Sequence, residues 1–282
     1  MNLIPQSGNI MRRLFLLAPP GQLPFRFRAV TADAELHADA LARVQQFRGQ
    51  VYLQEGNLAP EDLTRDGRHV QAADAKSWHL FTMNNRDEVE ACGRLLPHPE
   101  NVDFGDLGVA HSSLAQSKEW SPVLRKAVEE EIRVARRRGV RFVEFGGWAV
   151  SRKLRCSTEA VRMCLAWYAL CQAIGGTIGL ATANTGHHCS TILRRMGGRP
   201  LARAGQPIPS YYEPKYRAEL EILRFDSAEP NPRYAAQIER CLHALGTVMV
   251  ISAEERQSAE KVTWNKESIF FASPVPVYAS IC

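Results

Sequence analysis

Between residues 121 and 138 the apolar positions Leu124, Val128, Ile132 and Ala135 fall three or four apart and Gly139 follows, the pattern of an amphipathic helix and its stop. Leu36, Leu41, Val44, Phe47, Val51 and Tyr52 recur at spacings that predict one helix, or two short ones, from Glu35 to about Gln54. Ser157 is a reasonable N-cap for a helix running to Ile174, with Gly175 and Gly176 as its stop. A short helix from His188 to Met196 ends at Gly197, and another begins beyond Pro232. Strands are expected at FRFRAV (25–30), in a hairpin over 78–96, and at 140–150, 177–183 and 217–226. The order predicts an α/β protein, a mixed sheet with helices on its faces. Residues 1–24 lack periodicity and read as an irregular leader, 25–226 as the domain, and 227–282 as a C-terminal helix with an irregular tail. The polar stretch 56–76 is a long loop of the kind that more often carries function.

One strand breaks the pattern. In RFVEFGGWAV (141–150) a strict alternation would put Phe142, Glu144, Gly146 and Trp148 on one face, and both faces are apolar apart from Glu144. A carboxylate there loses hydration, which suits a proton acceptor, although an arginine such as Arg94 could hold it as a structural ion pair instead. Gly146 and Gly147 mark a bulge or a close approach by a ligand. The basic turn with Arg152, Lys153 and Arg155 then leads through Ser157 into a helix N-terminus, a place that favours phosphate.

Composition narrows the classes. No apolar run approaches the roughly 20 residues of a membrane span, so no span is expected and the cytoplasm is the expected location. The 7 cysteines include no C-x-x-C pair, which argues for reduced thiols; His187 and His188 beside Cys189 point in different directions, so no metal is expected. The formal charge of +5 gathers in arginine clusters at 136–138, 152–155 and 194–199 without aromatic interleaving. That disfavours nucleic acid and fits a phosphate-bearing co-substrate or an acidic protein.

Strand with carboxylate, break, basic turn, helix, strand ending at Asn184, and a short helix ILRRMGG resemble, over roughly residues 75–226, the centre of the GNAT superfamily of N-acyltransferases. The chain departs from that family's glycine loop at Arg155 and Ser157, and has Leu193 where a tyrosine often protonates the leaving thiolate. More specifically, Arg48-Gly-Gln-Val-Tyr52, Asp66 and Asp74, Ala91-Cys-Gly-Arg94-Leu-Leu-Pro97 and Val143-Glu-Phe-Gly-Gly-Trp148 resemble the motifs of acyl-homoserine-lactone synthases and bacterial N-acyl amino acid synthases. Gly147 stands where the synthases carry an arginine.

The resemblance implies transfer of a long acyl group to the amine of a small molecule such as an amino acid. The donor would be acyl-phosphopantetheine, on acyl carrier protein or coenzyme A, acting as co-substrate with no permanently bound cofactor. By that resemblance Glu144 and Arg94 are the catalytic pair, and Arg48, Asp66 and Asp74 meet the acceptor. Trp148, Val150, Arg152, Lys153, Arg155, Ser157 and Asn184 meet the donor, with backbone N–H groups near Trp148 to Val150 for the oxyanion. The arginine clusters would steer the acidic carrier protein. From the residues alone, Asp66 and Asp74 could equally be solvated turn charges and the basic turn an exposed one. An acetyl-CoA-dependent acetyltransferase and a non-catalytic binding module of the same fold are the alternatives.

Overall fold

A computed structural model describes residues 12–21, 23–186 and 188–254; most of the expected leader, His187 and the greater part of the expected tail lie outside the described residues. The chain runs β1 (Arg13–Leu17), β2 (Val30–Ala32), α1 (Ala34–Gln54), β3 (Trp78–Met83), β4 (Val89–Pro97), α2 (Ser121–Arg137), β5 (Arg141–Val150), α3 (Glu159–Ala173), β6 (Thr177–Asn184) and α4 (Cys189–Met196). It continues through β7 (Arg199–Pro200), the small pair β8 (Ala202–Arg203) and β9 (Gln206–Pro207), β10 (Tyr211–Glu213), β11 (Ala218–Asp226), α5 (Ala235–Leu245) and β12 (Met249–Ser252).

A ten-stranded mixed sheet has the order β10-β11-β6-β5-β4-β3-β1-β12-β2, with β7 against β11. Helices cover both faces because each has an apolar stripe to bury. Leu124, Val128, Ile132 and Ala135 of α2 are buried with Phe142, Ile178, Leu180 and Ile222 of the sheet. On the same face α1 packs Ala40, Val44 and Val51 against Phe15, Leu17, Phe81 and Cys92. The opposite face is covered by α3, α4 and α5, whose buried residues join Leu16, Leu80, Leu95, Val143 and Ala181 in one cluster.

Three expectations are corrected at the ends of the chain. Arg13–Leu17, read as leader, is a strand between β3 and β12, and Met249–Ser252, read as tail, pairs in parallel with both β1 and β2. Both are short apolar runs buried in the sheet, so neither shows the alternation that would announce a strand. The sheet therefore draws on chain beyond both ends of 25–226. FRFRAV is no strand until Val30: Phe25 is exposed, while Phe27 turns inward to Trp78 with ring centroids 5.4 Å apart.

The central strands part. β5 and β6 pair in parallel from Arg141 and Thr177 only as far as Phe145 and Ala181. β5 stays with β4 to the register Val150–Ala91, across an irregularity between Cys92 and Arg94. There Gly147 has φ +61°, a conformation open to glycine at little cost, and Gly147 and Trp148 together stand opposite Gly93. The extra residue reverses the alternation. Trp148 consequently faces α3, 5.7 Å from Trp167, and not the Glu144 face where strict period two placed it.

Trp167 also lies against Gly93, where a Cβ would stand 1.9 Å from the indole. Gly93→Ala is accordingly expected to overpack the sheet against α3 and to cost about 1–3 kcal/mol, read as a lower midpoint in urea unfolding.

Candidate active site

Glu144 and Arg94 point to the same face of the sheet, yet they are not each other's partners. Their registers are Leu96–Glu144 and Arg94–Gly146. The absence of a side chain at Gly146 leaves room for the Arg94 guanidinium, whose Nη2 would lie 3.3 Å from a Cβ there. Arg94 Nη1 donates to Gln71 Oε1 at 2.7 Å and to Asp74 Oδ1 at 2.8 Å. Glu144 Oε2 accepts from His98 Nε2 at 3.0 Å and from the Gly108 N–H at 3.1 Å. The expected arginine–glutamate pair is thus replaced by two separate pairs, because Asp74 claims the arginine first.

Asp74 anchors a cluster sealed from solvent. Arg48, fully buried, donates from Nη2 to Asp74 Oδ2 at 2.7 Å and from Nη1 to Oδ1 at 3.1 Å, and bonds the His69 carbonyl. Gln45 Nε2 adds a bond to Asp74 Oδ2 at 2.9 Å. Burial alone would raise the Asp74 pKa, but the Arg48 hydrogen bonds and the charges of Arg48 and Arg94 hold it well below the ordinary carboxylate range. Burial would likewise lower that of Arg48, and Asp74 more than offsets it. His69 and His79, flanking the cluster, are pushed down to about 4, chiefly by burial.

A cavity of about 1800 Å³ joins the two faces of the sheet through the gap between β5 and β6. On the α1 and α2 face its walls carry Tyr52, Gln71, Arg94, His98 and Glu144. On the α3 face the walls are Phe145, Trp167, Tyr168, Leu193, Met196 and Phe225, a nearly continuous apolar lining. The α3 residues that line it, Ala160, Val161, Cys164, Trp167, Tyr168 and Cys171, make one helical stripe.

Of the residues expected at the acceptor, Arg48 and Asp74 do not line this cavity; they support its wall from behind, Asp74 at Arg94 and Gln71 and Arg48 at Gly147. Asp66 sits on the exposed loop, bonded to Thr64 and to Arg68 at 2.7 Å, and takes no part. Of those expected at the donor, Trp148, Val150, Arg155, Ser157 and Asn184 line the cavity. Arg152 and Arg155 are both tied to Glu55 at the end of α1, and Arg152 also bonds the Gln54 carbonyl. Lys153, on the same turn, has no ion-pair partner among the described residues. Thr158, not Ser157, occupies the N-cap position of α3, and Ser157 Oγ accepts from the Glu159 N–H at 3.2 Å. Asn184 Oδ1 accepts from the Gly186 N–H at 2.7 Å. In the other arginine clusters Arg136 bonds the Glu100 and Val102 carbonyls, Arg138 pairs with Asp226 and Arg194 with Glu221. Much of that positive charge is structural.

Sequence reasoning missed His98, Gln71, Glu55 and Gly108. For His98 a signal exists: counting by two from Arg94 through Leu96 along β4 brings it to the Glu144 face. Its N–H bonds the Phe142 carbonyl at 2.9 Å, continuing the ladder past Pro97. Glu55 and Gly108 come from segments far from β5 in sequence, and no local pattern announces them.

Replacing Asp74 by Asn leaves a fully buried guanidinium without its counter-charge. Asp74→Asn is expected to cost about 3–5 kcal/mol in urea unfolding. The two histidines add a pH dependence. Their folded pKa values lie below the ordinary 6.5, so the unfolded chain binds more protons below that pH. Stability is expected to be level above pH 6.5 and to fall between 6.5 and 4. Asp74 carries the decline further as the pH drops through its unfolded value of 3.8. Unfolding midpoints taken at pH 7.5, 5.5 and 4.5 check this window.

No family model matches the sequence, and a search of curated proteins finds no relative. Solved structures do match. The chain is similar to the CoA-dependent acyl-homoserine lactone synthase BjaI with SAM and isopentyl-CoA, at TM-score 0.50 and 14% identity over 87% of this chain and 95% of that one. The same synthase with MTA matches at TM-score 0.50 and 15% identity over the same shares. FeeM, an N-acyl amino acid synthase from uncultured soil microbes, aligns at TM-score 0.46 and 10% identity over 79% of this chain and 94% of that one. The mixed sheet, the parting of its central strands and the two matches at TM-score 0.50 give the chain a GNAT-like acyltransferase fold.

Proposed function

We propose that the protein is an N-acyltransferase that moves a long acyl group from a phosphopantetheine thioester to the amine of a small molecule such as an amino acid. The observation that carries the reading is the cavity that crosses the sheet between β5 and β6, polar at the Glu144 end and apolar beneath α3. A thioester in the gap would have its acyl chain on one face and meet an amine on the other. An acetyl group would leave most of the apolar arm empty, which favours the longer donor.

Attack on a thioester needs a neutral amine and a group to take its proton, and Glu144 with His98 stands at that point of the cavity. Past Phe145 the edge of β5 toward β6 has no strand partner, so its N–H groups suit a developing oxyanion. At the entrance the first-turn N–H groups of α3 and the basic turn suit a phosphate. Glu55 already engages Arg152 and Arg155 and leaves Lys153 as the uncommitted cation of that turn. That balance suits the single phosphodiester of a carrier-protein arm better than the pyrophosphate and ribose phosphate of coenzyme A.

The experiment offers the purified protein a long-chain acyl carrier protein or the matching acyl-CoA, with pooled amino acids and S-adenosylmethionine, and reads products by mass spectrometry. An N-acyl product is expected, faster with the carrier protein, and Glu144→Gln is expected to lower its rate by about 10-fold or more. No N-acyl product with either donor removes the reading. Glu55→Gln frees two arginines and is expected to lower the KM for acyl-CoA more than that for the carrier protein.

A further inference from the structure

Resting on the acyl-transfer reading, we propose that His98 is the catalytic group that takes the proton from the acceptor amine, with Glu144 as the residue that orients it. Glu144 Oε2 already receives two N–H bonds, from His98 and from Gly108. An ionised carboxylate only accepts, so the hydrogen of the His98 contact lies on Nε2. A neutral imidazole protonated at Nε2 has a bare Nδ1, its one acceptor. That nitrogen takes no hydrogen bond from any described residue, and the ring lines the cavity.

The ring is also held for the task. It grows from the end of β4, where the His98 N–H bonds the Phe142 carbonyl, and it packs 6.3 Å from the Phe142 ring. A carboxylate that orients an imidazole whose other nitrogen faces the substrate is the general arrangement of an oriented base. Other charged or titratable groups on the cavity wall are Arg94, held by Asp74, then Asp106 and His111 on the turns that carry Gly108, Lys76, Glu213 and Lys215 from the facing loops, Glu55 paired with Arg155, and His188 at the start of α4. Glu144 is the carboxylate bonded to His98.

The step balances without any further reactant. The amine nitrogen bonds to the thioester carbon, and the ammonium so formed gives its proton to His98 Nδ1. As the C–S bond breaks the imidazolium returns a proton to the leaving thiolate, so amide and thiol are the products. This also supplies an acid where Leu193 replaces the tyrosine expected from the resemblance.

The test compares the pH dependence of kcat/KM for the unaltered protein, His98→Asn and Glu144→Gln. His98→Asn is expected to lose about 10²–10⁴-fold in kcat at unchanged donor KM, and to lose the ascending limb of the profile; Glu144→Gln keeps the limb with a smaller loss. His98→Asn within about threefold of the parent, with the limb intact, overturns the proposal and leaves Glu144 as the base. His98→Gln replaces the asparagine variant should the latter not fold. Independently of turnover, nitrogen-15 spectra of the imidazole are expected to show Nε2 protonated and Nδ1 bare, with the two forms mixing in Glu144→Gln. A protonated Nδ1 in the unaltered protein overturns the assignment even if amide is formed. Absence of amide with a protonated Nε2 removes the acyl-transfer reading and leaves the pair.

Discussion

The separation of β5 from β6 at Phe145 and Ala181 is the constraint on which the other features of the site depend. Two parallel strands in the middle of a sheet ordinarily stay paired, because the unpaired N–H and C=O groups of an interior edge are costly. Here Gly147 adopts a left-handed conformation and adds a residue to β5, and the side chain of the fully buried Arg48 packs against it. The arginine cannot retreat, since Asp74 binds both of its terminal nitrogens. The break is thus held from behind by an ion pair without access to solvent.

That arrangement explains why buried charges are tolerated so close to the centre of the sheet. Removing charges from water is unfavourable, and a buried pair is poor evidence of a gain in stability. Asp74 also fixes Arg94, and through Arg94 the shape of the cavity wall beside Gly146. The cluster serves geometry more than affinity: it stands behind the cavity wall and supports it at Arg94, Gln71 and Gly147.

Most of the fold was legible because its helices and interior strands obey simple periods. The stripe of α2, the hairpin of β3 and β4 and the run of β5, α3 and β6 all stand where periodicity put them. β1 and β12 were not, since five or fewer buried apolar residues carry no period and their partners are brought together only by the finished sheet. The site was half legible. Glu144 and Arg94 could be singled out as charges among apolar strand positions, and Asp74 only through the resemblance, but their pairing is a matter of reach across strands and loops. Trp148 shows the limit most clearly: a single bulge residue moved it to the opposite face, and no count by two along β5 anticipates that.

The bulge divides labour between the faces. Before it, Phe142, Glu144 and Gly146 look toward α1 and α2; after it, Trp148 looks toward α3 and closes on Trp167, which also meets Phe145. One strand therefore supplies the carboxylate to a polar chamber and the aromatic wall to an apolar tunnel, and the gap that joins them opens where β5 changes sides. On the proposed reading, a molecule with a polar reactive centre and a long apolar tail would lie with the tail under α3 and the centre in the plane of the sheet. The sheet itself, more than any single side chain, would then decide which atom of the guest meets Glu144 and His98.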